Sequence, residues 1–201
     1  MNLPIILFQG DSITDCNRFV NNDLGDGYVH FIAKMMPNVE VLNKGISGNE
    51  TSDLLNRWTK ETIDLHPNVL SILIGINDIW HAHADQTNRT VFDLLRDYRS
   101  VLERTKKELP KTKILMIEPY LLVFDDFQKS WRHELDLAIQ GIRELAKEFA
   151  DEYIPLDGLL AEARIHHADS ELMWDGIHPT PFGHQLIASW IKPKLELLLS
   201  K

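Results

Sequence analysis

The sequence predicts an α/β protein of three layers, with helices covering both faces of a parallel five-stranded sheet. Short apolar runs recur along the chain, and segments with helical apolar spacing separate them. Strands that alternate with helices in this way are joined by right-handed crossovers, which makes the sheet parallel and buries it on both faces.

Taken in order, Leu3 to Phe8, Val39 to Leu42, Val69 to Ile74, Lys113 to Ile117 and Tyr153 to Leu156 read as the strands. The helices read as Tyr28 to Met36, stopped by Pro37, then Thr51 to Ile63, then Val91 to Leu109, stopped by Pro110, then Ser130 to Ala150 and Pro181 to Leu199. In the third, Val91, Leu94, Leu95, Tyr98, Val101, Leu102 and Leu109 form one apolar stripe that packs on the sheet. Leu135, Ile139, Ile142, Leu145, Ala146 and Phe149 repeat the pattern in the fourth, and core packing explains both stripes without a cofactor. The last helix opens with Thr180 as N-cap and Pro181 as its first residue. Pro193 is expected to bend or interrupt it, because proline removes a backbone hydrogen bond.

A chain of 201 residues, 44% of them apolar, fits one domain over 1–201 with one core. The net charge of −9 and a pI near 5.4 argue against a broad surface for nucleic acid or anionic membrane. No apolar run approaches the roughly 20 residues that span a bilayer, and no basic segment precedes the first apolar run. The expected location is cytoplasmic, which the single cysteine, Cys16, also suits; it reads as an ordinary packed or partly exposed thiol.

The chemistry concentrates after the strands. Ser12 follows the first, Gly48 of Gly45-Ile-Ser-Gly-Asn-Glu-Thr51 follows the second, and Asn77 of Gly75-Ile-Asn-Asp78 follows the third. Ligands of open parallel sheets bind beyond the carboxyl ends of the strands, so these motifs converge on one edge. A serine needs a base and an acid to orient that base. Asp175 and His178 of Asp175-Gly-Ile-His-Pro179 are three apart, close enough for the carboxylate to meet the imidazole Nδ1–H, leaving Nε2 to accept the Ser12 proton. Gly48 lets a backbone N–H approach an oxyanion without an intruding side chain, and Asn77 adds an amide donor. Taken singly, Ser12 is a turn former and Gly48 a simple turn; together with the other motifs they read as a catalytic set.

Gly10-Asp-Ser-Ile-Thr14, the glycine block, Gly75-Ile-Asn-Asp78 and Asp175-Gly-Ile-His178, in that order, resemble the GDSL/SGNH hydrolase family. The resemblance spans nearly the whole chain and implies a flavodoxin-like sheet, no cofactor, and an oxyanion hole made by the backbone N–H groups of Ser12 and Gly48 with the Asn77 side chain. The strings GDSITDCNR, NKGISGNETSDLLNRW, IGINDIW and WDGIHPTPFGH further resemble the bacterial acetyl-xylan esterase branch. That implies an intracellular enzyme, of a branch often assembled as a homo-oligomer, acting on a small acyl ester, an acetylated xylo-oligosaccharide or other acetyl-sugar. A general acyl esterase or lysophospholipase is the alternative. Fold does not choose between them, and a binding module without catalysis or a structural domain would have no need of the intact Ser12, His178 and Asp175.

Asp11, Trp80 and Trp174 are the candidates for touching substrate; for the two tryptophans, core packing is an equal alternative. Asp78 reads as a structural acid. His81 and His83 with Asp85, or His166 with His167, lack a further ligand at motif spacing, so no metal is expected. There is no Gly-x-Ser-x-Gly elbow and no phosphate-cradling glycine motif. The Asn-x-Thr tripeptides at Asn49 and Asn88 carry no sugar if the chain is not exported.

Overall fold

A computed structural model of the protein describes residues 3–84 and 86–200. The elements run β1 (Ile5–Gly10), α1 (Ser12–Asp15), α2 (Tyr28–Met35), β2 (Glu40–Asn43), α3 (Thr51–Glu61), β3 (Val69–Leu73), α4 (Ile76–His83), α5 (Val91–Glu108), β4 (Lys113–Ile117), α6 (Asp126–Ser130), α7 (Arg132–Phe149), β5 (Glu152–Ile154), α8 (Leu156–Ala163), α9 (Asp169–Leu172) and α10 (Pro181–Ser200). All five strands are parallel, in the order β2-β1-β3-β4-β5. The direction of progression reverses at β1, so the crevice at the carboxyl ends of β1 and β3 is the switch point where ligands of such sheets bind.

Helices cover both faces. Helix α2 packs on α10, and α3, α5 and α7 pack in series on the other side. Central strands are buried on both sides: Ile6, Leu7, Phe8, Leu70 and Ile72 are wholly inaccessible, whereas the edge strands β2 and β5 keep half-exposed positions. That difference explains why β3 and β4 read clearly as continuous apolar runs.

Helix α5 begins where its cap dictates: Thr90 Oγ1 accepts from Asp93 N at 3.3 Å, and Asp93 Oδ2 accepts from Thr90 N at 3.0 Å. Its buried stripe faces α3, where Trp58 Nε1 donates to Thr105 Oγ1 at 3.0 Å. The helix expected over Ser130 to Ala150 is α7, which starts at Arg132; Ser130 itself closes the short α6, and the buried Trp131 lies at the corner between the two. Of the bend or interruption expected at Pro193, the interruption does not occur; α10 runs unbroken from Pro181 to Ser200. Pro193 and Ser189 both lie on the exposed side, where water can take the Ser189 carbonyl that proline leaves unbonded, while Ile187, Ile191 and Leu195 anchor the buried side. The short helices α1, α4, α6, α8 and α9 have too few turns to show a period in sequence. Among the described residues, no helix is long and apolar enough to cross a membrane.

Candidate active site

Strand β1 ends at Gly10, where a side chain would collide with Thr14 Oγ1 and the Leu73 carbonyl of β3. This close approach forces the chain into a tight turn, and Ser12 becomes the first residue of α1. Asp11 caps that helix, its Oδ1 accepting from Ile13 N at 3.0 Å. Asp11 is completely buried, and its Oδ2 lies buried without a partner. Burial pushes its carboxyl up to about 7, against the pull of the Ile13 N–H and the His178 charge. The expectation that Asp11 touches substrate is therefore corrected: it lies under the turn and shapes it from below. Thr14 Oγ1 shares a hydrogen bond with Tyr28 OH at 2.9 Å, and Asn43 Nδ2 donates to Thr14 O at 2.7 Å, so α1 is gripped from α2 and β2.

His178 meets Ser12 from the far end of the chain: its Nε2 lies 2.9 Å from Ser12 Oγ. Asp175 Oδ2 accepts from His178 Nδ1 at 2.7 Å, and Asp175 Oδ1 accepts from the backbone N–H groups of His178 and Ile177 at 2.7 and 2.9 Å. The Asp175 hydrogen bond holds the imidazole pKa above its ordinary value. Burial would raise the Asp175 carboxyl, but the donors from His178 and Ile177 outweigh it and hold it at about 2.

Between the two, Gly176 adopts φ +88° and its carbonyl accepts from Leu122 N at 2.9 Å. Tyr120 OH donates to Ile177 O at 2.7 Å, and Gln128 Nε2 donates to Asp175 O at 2.6 Å. Sequence reasoning missed Tyr120 and Gln128, which stand in no motif; the position of Tyr120 just beyond β4, on the same carboxyl edge, is the one signal that could have found it.

On the other side of Ser12, the glycine block leaves β2. Gly48 has φ +79°, with open space where a side chain would stand. No partner takes the backbone N–H of Ser12 or Gly48 among the described residues. Asn77, in the first turn of α4, is buried and donates one Nδ2 proton to Asn49 O at 3.1 Å, leaving its other amide proton for a ligand. Asp78 accepts from Thr51 N and Thr51 Oγ1 at 3.0 and 2.7 Å and pairs with Arg89 at 3.1 Å, the structural acid expected. Burial pushes its carboxyl up to about 6.

Trp80 is half-buried, stacked on Trp131 at 5.8 Å and edge-on to His178 at 6.4 Å, so it both packs and backs the histidine. Trp174 is 68% exposed beside Asp175. His81 pairs with Glu50 at 2.8 Å and His83 with Glu134 at 3.2 Å; Asp85 lies outside the described residues. His166 and His167 follow α8, where the His167 ring packs on Phe182 at 5.0 Å.

Residues 8–186 match the model of the GDSL-like lipase/acylhydrolase family. The chain is 30% identical to an acetylxylan esterase of Geobacillus stearothermophilus over 91% of its own length and 90% of the relative's. Among solved structures, a GDSL-like lipase from Parabacteroides merdae superposes with a TM-score of 0.88 at 34% identity, covering 98% of this chain and 97% of that one. The acetylxylan esterase Axe2 from Geobacillus stearothermophilus superposes with a TM-score of 0.82 at 27% identity, covering 97% and 96%. Variants of that enzyme described as catalytic mutants replace an aspartate, a histidine and a serine. The chain belongs to the GDSL-like lipase/acylhydrolase family and is a carboxylic-ester hydrolase.

Proposed function

We propose that the protein is a single-domain serine esterase that removes acetyl groups from carbohydrate, xylo-oligosaccharides first among them. The observation that carries this reading is the unbroken line from Asp175 through His178 to Ser12, with steps of 2.7 and 2.9 Å. Ser12 Oγ attacks the ester carbonyl carbon while its proton passes to His178 Nε2. The negative oxygen of the tetrahedral intermediate is received by the N–H groups of Ser12 and Gly48 and by the Asn77 amide. Collapse breaks the bond to the alcohol oxygen, which leaves with the proton from His178. Water then attacks the acetyl-serine and gives one proton to His178, and the second collapse returns that proton to Ser12 and releases acetic acid, which ionises to acetate in solution. Asp175 stays ionised throughout, as its low pKa requires.

The acetyl-sugar preference rests on the exposed Trp174 and on Trp80 against His178, aromatic faces suited to a sugar ring on the alcohol side, and on the likeness to an acetylxylan esterase. Ser12→Ala is expected to lower turnover by ~10⁶ and to abolish labelling by an organophosphate. Turnover on acetylated xylo-oligosaccharides, compared with acetyl and octanoyl esters of one alcohol, tests the substrate. Each methylene that a small pocket rejects is worth ~1–3 kcal/mol, so acetyl should win by orders of magnitude. A faster octanoyl reaction would make the protein a long-chain acyl esterase instead.

A further inference from the structure

We propose that Arg57 is a positioning residue for the oxyanion hole, a single guanidinium to which all of the hole's donors are referred. This rests on the oxyanion reading of Ser12, Gly48 and Asn77 given above.

Arg57 projects from α3, and its side chain is only 13% exposed. Its Nε donates to Asn49 Oδ1 at 2.8 Å. Nη1 serves Gln9 Oε1, Lys44 O and Glu61 Oε2 at 2.7, 2.9 and 2.7 Å, and Nη2 donates to Gly10 O at 3.2 Å. The choice of partners is what matters. Gly10 is the last residue of β1, two before Ser12; Lys44 is the point where β2 hands over to the glycine block; Asn49 follows Gly48 directly. The Asn49 carbonyl in turn accepts from Asn77 Nδ2 at 3.1 Å. The same cation therefore holds the base of the Ser12 turn, the entry to the glycine block, the residue that follows Gly48 and, through Asn49, the aim of the Asn77 amide.

The neighbours keep the fork in place. Gln9 Nε2 donates to Glu61 O at 2.7 Å and to Thr62 Oγ1 at 2.9 Å, which turns its Oε1 toward Arg57. Glu61, one turn along α3, supplies the counter-charge. A planar guanidinium can serve acceptors lying in several directions at fixed relative positions, whereas an ammonium is a single point of charge on a flexible stem. Lysine should therefore preserve charge and much of the stability without preserving the geometry. Oxyanion donors act only when they stand in the right place for charge that develops in the transition state, so their displacement lowers kcat and leaves KM nearly unchanged.

The test is steady-state kinetics on p-nitrophenyl acetate for Arg57→Ala, Arg57→Lys, Asn77→Ala and the Arg57→Ala/Asn77→Ala double variant, with Tm measured for each. Asn77→Ala alone should lose ~10²–10³ in kcat. Arg57→Ala should lose ~10–10² in kcat with KM within a few-fold, and Arg57→Lys should recover Tm but not kcat. The double variant should lose less than the product of the single losses, because both act on one hole. Free guanidinium ion should raise kcat in Arg57→Ala and not in the wild type. If Arg57→Ala does not fold, Asn49→Ala, which removes the Oδ1 acceptor and keeps the carbonyl, replaces it and should lose ~10-fold in kcat. Wild-type kcat in Arg57→Lys, or in Arg57→Ala while Asn77→Ala is impaired, would overturn the positioning role and leave the hole intact. Unimpaired kcat in Asn77→Ala would overturn the oxyanion reading itself, and the Arg57 proposal with it.

Discussion

Replacing Gly176 by alanine would strike the candidate catalytic loop where there is no room for a side chain. At φ +88° any side chain is strained, by ~1–2 kcal/mol for an L-residue in the left-handed region. The new Cβ would also collide with Leu122 O and stand 2.9 Å from Gln128 Oε1. Relief requires the loop to lift away, which breaks Leu122 N to Gly176 O and Gln128 Nε2 to Asp175 O, each worth ~1 kcal/mol net. The sum is ~3–4 kcal/mol, or about 6–16 °C in Tm for a chain of this size. The displacement falls on Asp175 and His178, on either side of Gly176, and a shift of ~1 Å there is worth ~10² in rate. Calorimetry and steady-state kinetics on an acetyl ester read both effects. Gly158→Ala in α8 is the control, since a Cβ there meets nothing within 4 Å and alanine favours a helix; Tm should hold or rise, with kcat unchanged. A Gly176→Ala protein with wild-type Tm and turnover would refute the reasoning.

As the proposed general base, His178 must be neutral to take the Ser12 proton, and Asp175 raises its pKa, so kcat/KM should fall as pH drops through a value above the ordinary histidine pKa. Asp175→Asn should move that acid limb to lower pH while cutting the plateau by ~10⁴; a limb that does not move would show that Asp175 is not what raises it. His184 is buried, its Nδ1 accepting from Tyr28 N at 3.2 Å and its Nε2 lying 3.3 Å from Cys16 Sγ, and burial lowers its pKa from 6.5 to about 4. Its folded pKa is depressed, so the stability it contributes is present above pH 6.5 and is lost as pH falls through about 4, to the extent of ~3 kcal/mol. Denaturant unfolding at pH 7 and pH 4.5 should show His184→Gln losing less between the two than wild type. The buried Asp11 carboxyl, raised to about 7, acts with the opposite sign in both proteins and cancels in that comparison; equal losses would sink the assignment.

Much of this protein is local and therefore readable in the chain itself. The cap at Thr90 is made by Asp93, three residues on, and the orienting bond of the imidazole is made by Asp175, three residues before His178. Interactions that short are written as residue types at a spacing, and the apolar runs of β3 and β4 announce strands buried on both faces. The alternation of strands and helices then sends Ser12, Gly48 and Asn77 to one edge, which is why the candidate site is legible in the chain. The sheet order decided the rest. Tyr120 reaches Ile177 across 57 positions and Arg57 reaches Gly10 across 47, contacts that exist only because β1, β3 and β4 lie side by side. Burial also belongs to the assembled molecule: Asp11 looks like a surface carboxylate beside a catalytic serine until β1 and α1 enclose it, and the lost bond at Pro193 is tolerable because α10 turns that carbonyl to solvent. Sequence alone determined which groups could do the chemistry, since that depends on residue type and short spacing; tertiary structure decided which groups hold them in place, since that depends on neighbours the chain brings together from afar.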